Sequence, residues 1–317
     1  MINIMKAKKI ILLILLLIIG IVLFSYISKT QKDTWVKETP KTKYSKEREK
    51  EVWGKQLNGH SPEIFYGTPL YDLAKEMTGF RSDKKIEELI AAIPRKDINI
   101  QDGKFHKTIG QFALTVSNLK ALNLLLDKGL NPNLIDKMGN AIIIDINDFY
   151  KNPSEKLLIL KNMIQKGANV NLFSKHTLKS TPLIRASNSG NLENVKVLVD
   201  AGANPNFIDN SIASPFESPL SVALAYAHID IVNYLIFDQK VDFRTLKYPS
   251  DSKFHPGEYV ILHKLREMIF DLNSKEYREK MKLVKYLKTQ GLDYWKTPIP
   301  DKVRSIPKFT QEYLSKY

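Results

Sequence analysis

Few residues in this chain could carry chemistry, and their spacing limits what they can do. The sequence has no cysteine, which excludes disulfides, thiolate nucleophiles and Cys-ligated metals. Six histidines (His60, His106, His176, His228, His255 and His263) fall at scattered registers. None stands four residues from another on a helix, so spacing alone indicates no metal site. Asp145 and Asp148 form a close acidic pair. In an active site such a pair divides acid and base roles, but it also occurs on ordinary wet helix faces, which is the expectation here. There is no G-x-S-x-G elbow, no H-E-x-x-H helix and no G-x-x-x-x-G-K-S/T loop. The expectation is a protein that is not an enzyme, holds no cofactor or metal, and works through its surface.

The elements that shape that surface are clearest from Ser180 to Asn206, STPLIRASNSGNLENVKVLVDAGANPN. Thr181 can cap a helix whose first position is Pro182, where a missing N–H costs nothing. A short helix follows through Ala186 and stops near Gly190. A second carries Leu192, Val195, Leu198 and Val199 on one face, and Gly202 supplies the left-handed residue that ends it. This stretch resembles an ankyrin repeat, whose pattern is T-P-L-H-x-A, then G, an apolar helix and G-A-D/N-x-N. Ile184 stands where the family usually has His, which removes a turn-stabilising hydrogen bond but leaves the packing.

The same pattern returns along the chain. Thr108 and Gly129 are 21 positions apart, as are Thr181 and Gly202. One further unit opens at Ala141 and closes at Gly167. Another starts Ser218-Pro219-Leu220 with Ala223 in register, but Gln239 replaces its closing Gly, which predicts a distorted turn. A lengthened unit runs from Val260 to Gly291, with His263 at the T-P-L-H histidine position, and Thr68-Pro69-Leu70 opens the first. His228 sits where the family favours His after the first helix. The resemblance covers roughly residues 66–295. It implies an all-α repeat solenoid of about six helix pairs, the outer ones atypical, each packed only on its neighbours. The repeat domain is placed at 58–295, and the aromatic- and proline-bearing segment 296–317 is expected to cap the last pair.

At the other end, Ile10 to Ile27 is an uncharged apolar run of eighteen residues. As a helix it spans roughly 27 Å, close to a hydrocarbon core. Lys6, Lys8 and Lys9 precede it, which favours residues 1–9 staying in the cytosol. No A-x-A cleavage site follows, so 10–27 reads as a single transmembrane signal-anchor. Residues 28–57 read as a basic tether with a lead-in helix. The chain carries a net charge of +14, and residues 1–50 hold eleven basic against four acidic side chains. Half of the excess therefore lies in the tail and not on a groove-fitting element, which argues against nucleic acid as a partner.

Ankyrin units bind through their fingers and the inner side of their first helices, and the resemblance carries that surface over by register. Beside the helix starts and in the fingers it gives Lys107, His176, Lys179 and Glu217. After the alanine position it gives Val116, Asp148, Phe149, Asn188, Ser189 and Tyr226, with Met268 in the last unit. Phe149 and Tyr226 are the expected aromatic anchors. Two fingers, 207–217 and 243–259, are long for the family. Their Phe216, Tyr248 and Phe254 either meet a partner or fold back on the array. The implied function is a protein-binding module anchored in the inner membrane and facing the periplasm, its partner a toxic effector or an envelope protein. One version is an immunity protein that occludes an effector. The alternatives are a scaffold for a resident envelope enzyme in stress defence, and a cytosol-facing, membrane-tethered adaptor.

Overall fold

The computed structural model describes residues 58–79, 82–148, 153–174, 180–209, 218–253, 255–305 and 311–317, all within one compact unit, Glu51–Tyr317. The cytosolic segment, anchor and tether expected over 1–57 lie outside the described residues. Among the described residues no helix is long and apolar enough to cross a membrane.

Among the described residues six helix pairs follow one another. They are α1 (Tyr71–Thr78) with α2 (Asp83–Ala92), α3 (Ile109–Thr115) with α4 (Leu119–Lys128), and α5 (Ile142–Asp145) with α6 (Pro153–Gln165). Then come α7 (Pro182–Asn188) with α8 (Leu192–Asp200), α9 (Pro219–Ala225) with α10 (Ile229–Asn233), and α11 (Val260–Glu267) with α12 (Lys275–Thr289). Each first helix packs on the first helices of its neighbours, α1 to α11, and each second helix likewise, α2 to α12. Two helical layers thus run unbroken through the unit and share one apolar core. No strand occurs among the described residues. Two isolated β-bridges, Gln101 with Thr108 and Lys247 with Tyr259, pinch the bases of two fingers.

Local chemistry sets these boundaries. Thr108 with Gln111, and Ser218 with Ser221, form reciprocal capping boxes, and the Thr181 hydroxyl accepts from Ile184 N–H at 3.2 Å. Each satisfies an orphan donor of a helix start. At the other ends Gly129, Gly167, Gly202 and Gly291 take positive φ, the left-handed turn that closes a helix without a Cβ penalty.

Asparagines then bind unit to unit. Asn133 donates from Nδ2 to Gly167 O at 2.9 Å while its Oδ1 accepts from Asn169 N–H at 2.7 Å. Asn171 does the same to Gly202 and Asn204, and Asn99 to Gly129 and Asn131. One amide side chain thereby satisfies a helix-end carbonyl and the following amide of the next pair, groups otherwise left orphaned.

The ladder changes at the fifth pair, where Gln239 replaces glycine. Gln239 stays right-handed and the positive φ moves to Lys240, at +56°. The extra residue is absorbed by a π-turn over Tyr234–Asp238, and Val241 N–H reaches back to Leu235 O. A non-glycine residue in this region costs about 1 kcal/mol. Lys240→Gly is expected to stabilise the protein by about 0.5–1 kcal/mol, read as a higher denaturant midpoint with an unchanged slope.

After the last pair the chain returns to it. Tyr294 and Tyr317 are buried. The Tyr294 hydroxyl and Arg266 Nη1 both donate to Tyr317 O, at 2.6 and 2.9 Å. Lys280 is buried beneath them with its ammonium 3.5 Å from the Tyr317 ring centre and donates to Met268 O. Burial first, and then the Arg266 charge, push its pKa down to about 6.

Candidate protein-interaction surface

The side built from fingers and first helices carries an ordered set of polar and apolar groups. Two of the fingers are each held in shape by an aspartate. The Asp102 carboxylate accepts from Lys104, Phe105 and Lys107 N–H at 2.8, 2.7 and 2.6 Å. Asp136 accepts from Met138 and Asn140 N–H at 2.8 and 2.9 Å. Neighbouring fingers are stitched together by Lys137 N–H to Phe105 O, Gln111 Nε2 to Asn140 O and Ser174 Oγ to Asn140 Oδ1. The stitching keeps the finger tips from moving independently. Those tips expose Met138 at 56% and Ile135 at 38%, a large apolar area on a braced loop. The sequence reading missed both, because nothing in their types marks a tip.

At the far end of the first helices a second row lines the turns within each pair. Tyr226 caps α9 with 60% of its surface exposed and stacks on His228, the rings 6.3 Å apart and 16° from parallel. His228 Nε2 lies 3.0 Å from Asn188 O, so the fifth pair is keyed into the fourth beneath the exposed ring. Asn188 is half-buried and Ser189 exposed, with the Ser189 hydroxyl donating to Ala186 O. Val116 is half-buried against the core. Lys107 is tied down, its Nζ donating to Thr115 Oγ1 at 3.1 Å. Phe149, His176, Lys179, Phe216 and Glu217 lie outside the described residues.

A charged group adjoins the second row. Asp148 pairs with Arg185 at 3.0 Å, linking the third and fourth pairs. The expectation of a wet helix face for Asp145 and Asp148 fails at Asp145. Burial, then the Asp136 and Asp148 charges, push its carboxyl up to about 7, against the pull of Lys107 and Arg185. Asp148 is raised as well, by burial, with Arg185 and Lys156 opposing. Lys156 is buried beside them and its pKa is lowered by that burial, with Asp148 opposing. A cleft of about 360 Å³ opens here, lined by Asp148, Lys156, Ser189, Gly190 and Glu193 among others. Its groups present charge and hydrogen bonds, with no nucleophile–base pair set against a donor pair as acyl or phosphoryl transfer requires.

One further placement differs from expectation, and one of the open alternatives is resolved. Met268 is buried and is no part of the surface, because α11 ends there and its carbonyl receives the Lys280 ammonium. The finger over 243–259 folds back: Leu246 is buried and Tyr248 packs against the core. Phe254, and residues 210–217 of the other long finger, lie outside the described residues.

Comparison with known proteins decides the kind of repeat. The family model described as ankyrin repeats (3 copies) matches residues 151–245. These residues are thus similar to ankyrin repeats. Ankyrin repeats are protein-binding modules, and the matched stretch contains Arg185, Asn188, Ser189 and Tyr226. Two curated relatives align over part of their length. A "Putative ankyrin repeat protein" of Rickettsia felis is 31% identical over 137 residues, 40% of this chain and 59% of that protein. A "Putative E3 ubiquitin-protein ligase XBAT34" of Arabidopsis thaliana is 27% identical over 104 residues, 32% of this chain and 26% of that protein. The chain thus spans less than two thirds of either relative.

Proposed function

We propose that this protein is a membrane-tethered ankyrin array that binds a protein partner through its fingers and first helices. The carrying observation is Tyr226, a large ring 60% exposed on a backbone locked by the His228–Asn188 contact. A rigid amphipathic ring on a surface that also carries a partly desolvated charge pair is the usual composition of an interface hot spot. Met138 and Ile135 on the finger tips add apolar area. Asp148 and Arg185 add a charge pattern that discriminates between partners more than it tightens binding.

The eighteen-residue apolar run at 10–27 and the lysines before it support an inner-membrane anchor with the array on the periplasmic side. In that setting the sharpest reading is an immunity protein covering the active cleft of a toxic effector, a task that needs shape and charge but no chemistry. A reporter enzyme active only outside the cytosol, fused after Tyr317, is expected to be active. Activity only from a cytosol-specific reporter would reverse the topology.

Capture of partner by the full chain, taken from its own membranes in detergent, tests the surface. Tyr226→Ala is expected to weaken partner binding at least about tenfold, corresponding to about 1.4 kcal/mol, with the melting transition unchanged. Equal capture by both proteins would exclude Tyr226 as an anchor.

A further inference from the structure

The long finger before α11 brings together three side chains that the sequence leaves apart. Donor atoms of His255, Glu258 and His263 all lie within 4.8 Å of one another. His263 Nε2 is 2.6 Å from Glu258 Oε2. The His255 and His263 ring centres are 3.6 Å apart, tilted by 32°. His255 stands at φ +57°, a region that non-glycine residues seldom occupy and that marks a position held by its surroundings.

The finger itself holds it there. Tyr248 N–H donates to Glu258 O and Gly257 N–H to Tyr248 O. Glu258 N–H returns to His255 O, and Val260 N–H to Leu246 O. The Tyr248 ring walls the group on one side, 5.5 Å from the His255 ring and 5.6 Å from the His263 ring. His263 is buried at the start of α11, His255 is half-buried and Glu258 is exposed. The group therefore combines one buried helical residue, one half-buried loop residue and one exposed residue.

The geometry points to a divalent transition-metal site of zinc type, with His255, Glu258 and His263 as its three protein ligands. Two imidazoles and one carboxylate form a recurrent zinc ligand set, and nitrogen donors disfavour calcium and magnesium. Tetrahedral zinc with bonds of about 2.0–2.2 Å places its donor atoms about 3.4 Å apart. Closing from separations of up to 4.8 Å requires an inward shift of the exposed Glu258 and a turn of the loop-borne His255 ring out of its stack on His263. On binding, His263 holds its ring proton on Nδ1, which frees Nε2, and that nitrogen and the Glu258 carboxylate turn from each other to the metal. The fourth position faces outward and takes water. A metal here fastens the finger over 247–259 to α11 and favours the folded chain.

Titration of the metal-stripped full chain in detergent with Zn²⁺, read by calorimetry and by the visible absorption of Co²⁺ in its place, tests this. One equivalent is expected to bind, with a rise in melting temperature. His255→Ala and Glu258→Gln lie on the exposed side of the site and spare the buried histidine. Each is expected to weaken binding at least about tenfold and to change the Co²⁺ spectrum while the metal-free melting temperature stays the same. No binding by the wild-type chain, or equal binding by both variants, would overturn the assignment.

Discussion

Gly190→Ala is expected to remove about 2–4 kcal/mol of stability, although it adds a single methyl group. Gly190 lies in the turn between α7 and α8 at φ +72°, so a side chain there is strained before any contact is considered. A Cβ would also meet the His228 ring of the next pair at 2.5 Å. His228 has little room to retreat, because Nε2 is engaged with Asn188 O and its ring is stacked with that of Tyr226. The methyl group therefore breaks a key between the fourth and fifth pairs as well as straining one turn. The equivalent turns at Ser117 and Ala227 tolerate side chains at φ +59° and +60°, which isolates the His228 contact as the larger part of the effect. Denaturant unfolding would show an earlier transition, with pairs five and six separating first in hydrogen exchange. A midpoint equal to wild type would mean that the His228 key carries no weight.

The second large effect concerns pH. The Asp145 carboxyl is raised from 3.8 to about 7 in the folded protein. Between about pH 4 and 7 the folded chain holds a proton that the unfolded chain has lost, so this group lowers stability progressively as pH rises through that window. Above pH 7 the full penalty of an enclosed carboxylate facing Asp136 and Asp148 remains, with Lys107 and Arg185 offsetting part of it. Asp145→Asn keeps the shape and removes the charge. At pH 8 it is expected to stabilise the protein by about 2–4 kcal/mol, and at pH 4 to change it little. Melting curves across that range should show the two proteins diverging as pH rises. Parallel curves would mean that Asp145 is an ordinary solvated carboxylate.

The parts of this fold legible in the sequence are those set within a few residues. Thr108, Thr181 and Ser218 as helix starts, and Gly129, Gly167 and Gly202 as helix stops, are local matters of orphan donors and left-handed turns. Their regular recurrence implies stacking. The missing glycine at Gln239 was readable as a distortion, but its resolution, a π-turn and a positive φ at Lys240, depends on how the next pair must dock.

The site was less legible, because its properties arise between units. Asp145 looks like a wet carboxylate until the finger carrying Asp136 closes beside it. His255 and His263 are eight residues apart in the sequence and only the second is on a helix, yet the hydrogen bonds of the finger at Tyr248 and Glu258 bring the rings into contact. Met268 fits the pattern of an exposed position and is buried, since Lys280 needs its carbonyl. Exposure of Met138 and Ile135 follows from the bracing of the fingers, which only the assembled array shows.

The central claim is that the finger-and-first-helix side of the array is where a protein partner sits. Site-specific photo-crosslinking in cells tests it most directly, with the reactive side chain placed in turn at Tyr226, at Met138 and at Leu158. Leu158 lies on the second helix of the third pair and is equally open, at 61%. Crosslinks from Tyr226 and Met138 to the same protein, with none from Leu158, are the predicted result. Crosslinks from Leu158 alone would contradict it and move the interface to the opposite layer of helices.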